Sequence, residues 1–78
     1  MNPKYISRLE RIDYLIRKKA TGTPEELAQR LGIHVSKVYE TISYLKSLGA
    51  PISYSIDRQS YYYQSPGGFS FRFNSHLP

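Results

Sequence analysis

The stretch Thr23–Tyr44, TPEELAQRLGIHVSKVYETISY, decides how this chain folds. Thr23 has the side chain of a helix N-cap, Pro24 suits the first helical position, and Glu26 can reach back to close a capping box. Leu27, Ala28 and Leu31 then share one helical face, and Gly32 can end the helix with a positive φ. A second periodic run follows through Val38, Ile42 and Leu45. Small Ala28 lets two helices approach closely, while Ile33 and Val38 fill the angle between them.

Two short helices on one sharp turn make a helix-turn-helix, whose second helix is commonly presented to the DNA major groove. Working outward, Ile6, Leu9, Ile12, Leu15 and Ile16 recur at helical spacing and predict a first helix over about 5–19. Thr21-Gly22 breaks it. The second helix is expected over about 24–31 and the third over about 35–48, stopped by Gly49 and Pro51. Beyond Pro51 the period changes to two. Ile52, Tyr54 and Ile56 alternate with serines, Asp57–Ser60 reads as a polar turn, and Tyr61-Tyr62-Tyr63 is a β-favouring return strand. This hairpin is expected over about 52–64. Phe69, Phe71 and Phe73 alternate with polar residues and predict one further strand over about 69–74. The expected fold class is α+β in a single domain covering 1–78.

At 78 residues the chain buries only roughly 60–65% of its unfolded surface, which leaves no room for a cleft between domains. It has no cysteine, so neither a disulfide framework nor a thiolate metal site is available. Its two histidines, His34 and His76, are 42 positions apart, so no metal site and no cofactor is expected. No apolar stretch has the length of a membrane span, and the charged N-terminus lacks a signal-peptide core. The expectation is a cytoplasmic, nucleoid-associated protein. An enzyme is not expected. Asp13 and Asp57 are the only aspartates, no serine sits in a nucleophile elbow, and Gly67-Gly68 is a turn signal rather than a phosphate loop.

The net charge of +5 is unevenly placed. Residues 1–22 carry six basic against two acidic side chains, residues 23–50 carry three of each, and residues 51–78 carry two against one. Such a balance suits a polyanionic partner.

The segment from Arg8 to Tyr63 resembles the winged helix-turn-helix at the N-terminus of bacterial DeoR-type, WYL-type and biotin-repressor-like transcription regulators. RLERIDYLIRKK, TPEELAQRLGI, VYETISYLKSLGAPI and the hairpin ending SYYY carry the resemblance, in that order. It departs from the family at the start of the third helix, where His34 replaces Ser or Thr and Val35, Ser36 and Glu40 stand where arginines are common. The hairpin tip Asp57-Arg58-Gln59-Ser60 also lacks the usual glycines, and no effector domain is expected within the chain.

The resemblance implies that the exposed side of the third helix reaches base edges. Ser36 and Lys37 are candidates for bases or phosphates, Thr41 for a thymine methyl, and Glu40 for a cytosine amino group. Tyr44 and Ser47 share that exposed side. His34 reads as a helix-start residue whose protonation would add phosphate affinity. Val35 reads either as core or as a thymine contact. Arg58 and Gln59 at the hairpin tip are candidates for the backbone or minor groove, with a solvated turn as the alternative. The basic face of the first helix could reach flanking phosphates, with a solvated charge run as the favoured reading for Arg8 and Arg11. The three tyrosines read as hairpin and core material ahead of a platform for unpaired bases.

The leading expectation is a sequence-specific double-stranded DNA-binding protein, a small transcription regulator of bacterial or mobile-element type. The alternative is a winged-helix protein–protein interaction module. A homodimer through the C-terminal aromatic strand is open, and no small-molecule effector is evident.

Overall fold

The computed structural model describes residues 3–69 and 73–74, and the side chains of 7–67. Three helices, α1 (Pro3–Arg17), α2 (Pro24–Leu31) and α3 (Val35–Ser47), precede an antiparallel hairpin of β1 (Ile52–Ser55) and β2 (Ser60–Tyr63). Two further strands, β3 (Gly68–Phe69) and β4 (Phe73–Asn74), pair separately from it. This small α+β arrangement is compatible with a winged helix. Among the described residues, no helix is long and apolar enough to cross a membrane.

The local chemistry explains the helix ends. Thr23 Oγ1 accepts the Glu26 N–H at 3.2 Å, and the Thr23 N–H donates to Glu26 Oε1 at 2.8 Å, completing the capping box. That backbone bond, then the Thr23 hydroxyl, holds the Glu26 carboxyl below its ordinary range. Gly32 adopts φ +67°, a left-handed conformation that glycine reaches without steric cost. Its N–H and that of Ile33 close back on the Ala28 and Gln29 carbonyls, so the turn into α3 takes only three residues. Gly22 is required for a second reason: a Cβ there would lie 3.0 Å from the Glu26 side chain that closes the box.

The core gathers Ile12 and Ile16 from α1, Leu27 and Ala28 from α2, and Val38, Ile42 and Leu45 from α3. Ala50, Ile52 and Tyr61 close it from the hairpin side. Leu9, Leu15, Leu31, Ile33 and Val35 pack around this centre while partly exposed, so Val35 belongs to the core margin.

Two polar arrangements tie the hairpin to the helices. The Thr21 N–H donates to Ser60 Oγ at 3.0 Å, the Tyr61 N–H donates to Thr21 Oγ1 at 2.9 Å, and the two hydroxyls lie 3.1 Å apart. Both Thr21 and Ser60 are fully buried. The α1–α2 loop is thus fastened to β2 largely by side-chain oxygens in place of a backbone ladder. Secondly, the Tyr63 hydroxyl donates to Asp13 Oδ1 at 2.6 Å, and Arg17 Nε lies 3.2 Å from Asp13 Oδ2.

Two expectations are corrected here. Ile56 does not continue the alternating strand. The register pairs Ser55 with Ser60, so the turn is Ile56–Gln59, and Ile56 is 81% exposed at its tip. Closure there is helped by Gln59, which takes φ +50°, and by the Arg58 N–H donating to Ser55 Oγ at 3.2 Å. Burial of the third residue of an alternating run needs a core beneath it, and this short hairpin has already passed the core's edge. In place of one strand over 69–74, β3 and β4 pair with Phe69 opposite Phe73. Local closure costs less chain entropy than docking a six-residue strand on a distant edge. Phe71 lies outside the described residues, as do the Phe69 and Phe73 side chains. Asp13, on which no expectation rested, sits within the apolar stripe of α1 and is only 4% exposed.

Candidate nucleic-acid interface

The exposed side of α3 begins at its cap. His34 has an extended backbone, and its Nδ1 accepts the Ser36 N–H at 3.1 Å with Ser36 Oγ 2.9 Å away. An Nδ1 that accepts an amide proton places the ring proton on Nε2, so Nε2–H is the donor His34 can offer a ligand. The Ser36 hydroxyl is engaged by the same ring. Further along, Thr41 Oγ1 donates to the Lys37 carbonyl at 2.7 Å, and Ser47 Oγ donates to the Tyr44 carbonyl at 2.6 Å. The helix and its cap therefore engage the hydroxyls of Ser36, Thr41 and Ser47. With its proton so used, Thr41 has its methyl and an acceptor lone pair to offer.

Lys37 and Glu40 form an exposed pair at 3.6 Å. An ion pair so open to water contributes little, about 0–1 kcal/mol, so either partner can be drawn to another ligand at small cost. Lys37, Thr41 and Tyr44 follow one another at helical spacing and form one wall of a groove of about 300 Å³. Glu40 joins that wall, and Arg8 and Leu9 of α1 form the other. Tyr44 is 41% exposed.

The structure thus brings Lys37, Glu40, Thr41 and Tyr44 together and sets His34 and Ser36 at the N-terminal end of the same helix. Arg58 and Gln59 are exposed on the hairpin turn and do not line this groove. Arg8 lines it while remaining exposed, where charge pattern favoured a plainly solvated face over one reaching flanking phosphates. The signal for Arg8 was its position one turn before Ile12, at the margin of the buried stripe. A second groove of about 320 Å³ lies between the end of α1 and residues 63–67, and holds none of the expected contact residues. Among the described residues, no group of three or more His, Cys, Asp or Glu side chains is arranged to hold a metal.

The tyrosines point to a mainly structural role. Tyr61 is 7% exposed, and its ring meets Tyr54 edge-on with centroids 5.0 Å apart. Burial pushes the Tyr61 phenol up to about 12, with the acidic groups of Tyr39, Tyr54 and Glu25 adding to the shift. Tyr63 is raised as well, first by burial and then by donating to Asp13. Unfolded phenols ionise near pH 10. Between about pH 10 and 12 the folded chain therefore keeps protons that the unfolded chain has lost, and stability falls as pH rises. The expected slope is up to about 1.4 kcal/mol per pH unit for a buried tyrosine such as Tyr61. Thermal scans from pH 8 to 12 read this limb, and Tyr61→Phe should make it shallower. An unchanged limb in that variant would place its origin elsewhere.

No protein-family model, curated protein or solved structure matches this chain.

Proposed function

We propose that the chain is a winged helix-turn-helix that binds double-stranded DNA and regulates transcription by occupying a promoter. The observation that carries this reading is the α2–turn–α3 unit, tightly capped at Thr23 and Gly32, with Ser36, Lys37, Glu40 and Tyr44 exposed on one side of α3. The C-terminal strand β3 runs beside α1. In this reading α3 enters the major groove, with His34, Ser36, Lys37, Glu40, Thr41 and Tyr44 facing bases or flanking phosphates. The β1–β2 hairpin is the wing, and Arg58 and Gln59 at its tip follow the backbone. The mechanism is steric and non-enzymatic, and its setting is the nucleoid in the cytoplasm. One such module reads few base pairs, so pairing of two copies through the C-terminal aromatic strands would multiply specificity.

The test is binding to duplex DNA across a salt series. Neutralising about five phosphates gives a log–log slope near −4 to −5. Binding that is absent, or flat with salt, refutes the assignment.

A second reading, a protein-interaction module, draws on the exposed Tyr39, Tyr44 and Ile56 and on the mutual neutralisation of Lys37 and Glu40. A partner whose capture is insensitive to salt and to Lys37→Glu would favour it.

A further inference from the structure

We propose that Arg8 on α1 clamps a backbone phosphate at the edge of the major groove, opposite Lys37, making the DNA interface a two-helix surface. This rests on the duplex-DNA reading of α3 and chooses, for Arg8, the phosphate contact over the solvated face that the charge pattern of the sequence favoured.

Three observations lead there. First, the exposed residues of α3 include no arginine, and three of its small hydroxyls are engaged by their own helix or its cap. A helix of this kind can read bases but is poorly equipped to hold itself in register, which is what phosphate contacts do. Secondly, Arg8 and Lys37 line one groove from different helices, Arg8 beside Leu9 on α1 and Lys37 with Thr41 and Tyr44 on α3. Glu40 is the sole acid lining it, and Glu40 is already beside Lys37. The lining therefore carries an excess positive charge, with the Tyr44 hydroxyl as a further donor. Thirdly, α1 is held in place against the rest of the fold by Ile12, Ile16 and the Asp13–Tyr63 bond, so Arg8 is carried on a fixed rod. A guanidinium so placed can meet two phosphate oxygens at once, which an ammonium cannot.

The occupant is the sugar–phosphate backbone of duplex DNA. The groove is open and bordered by exposed Arg8, Lys37 and Tyr44, which suits a strand passing through it better than an enclosed molecule.

The experiment compares Arg8→Gln with Lys18→Gln by fluorescence anisotropy on two unrelated duplexes over a salt series. Lys18 is a matched control. It is exposed, its Nζ lies 5.7 Å from the centre of the Tyr14 ring, and it follows the last residue of α1, about 15 Å from Arg8 along the helix axis. Both variants lose one charge, so non-local steering changes equally. Arg8→Gln should flatten the log–log slope by about 0.9 and weaken binding several-fold on both duplexes alike. Arg8→Lys should restore the slope. If Arg8→Gln and Lys18→Gln behave alike while the parent binds duplex, the clamp is refuted and the α3 reading stands. A loss confined to one duplex would refute the phosphate assignment, because it would mean a base contact. A parent that does not bind duplex at any salt refutes both.

Discussion

Replacing Asp13 with alanine should lower the unfolding free energy by about 2–4 kcal/mol, a large part of what a domain of this size commands. Asp13 is buried, and its two oxygens serve the Tyr63 hydroxyl at 2.6 Å and Arg17 Nε at 3.2 Å. A hydrogen bond to a charged partner contributes about 1.5–3 kcal/mol. The Arg17 side chain is 36% exposed, so its share is reduced by solvent and most of the loss comes from the tyrosine side. Urea denaturation followed by circular dichroism measures the change. Asp13→Asn keeps the shape and an acceptor for Tyr63, and should cost clearly less than alanine. Equal losses would mean that the charge of Asp13, rather than its reach to the hairpin, is what matters. Tyr63→Phe tests the other end of the bond and should also destabilise.

The second large effect is expected at Thr21. Thr21→Val preserves shape but removes the acceptor for the Tyr61 N–H, leaving a buried donor unpaired at a cost of about 1–3 kcal/mol. Ser60→Ala does the same to the Thr21 N–H. The two hydroxyls are 3.1 Å apart and share one network, so the double variant should lose less than the sum of the singles. Strict additivity would show that the two contacts act independently. Hydrogen exchange at the Tyr61 amide offers a local readout, and Thr21→Val should speed it more than it speeds exchange in α3.

What could be read from the sequence was what neighbouring residues decide among themselves. Thr23, Pro24 and Glu26 define the start of α2 within four positions, and Gly32 defines its end, so these features carry their own instructions. The hairpin turn was placed one residue late because alternation continues through Ile56, and only the register shows where the pairing closes. The Phe-rich segment was misread for the same reason: a strand is defined by its partner, and periodicity names none. Thr21 and Ser60 lie 39 positions apart, with nothing local to link them. Asp13 was nearer to hand. An acid four residues before Arg17, set between Ile12 and Ile16, is the pattern of a paired and buried carboxylate. Arg8 fell between these cases. Its helix was legible, but the neighbour it faces across the groove lies on another element.

The Thr21 fastening has a consequence for self-association. A two-stranded ribbon ordinarily offers two rows of open backbone groups to a passing chain. Here the outer row of β2 is partly occupied at Tyr61, whose N–H donates to Thr21 Oγ1 and whose carbonyl accepts from Ser60 Oγ, while β1 pairs with β2 alone among the described residues. Strand addition to this ribbon is therefore one-sided, and two copies meeting through β1 would consume the available row on both. Such an encounter ends as a closed pair and gives no template for a growing filament.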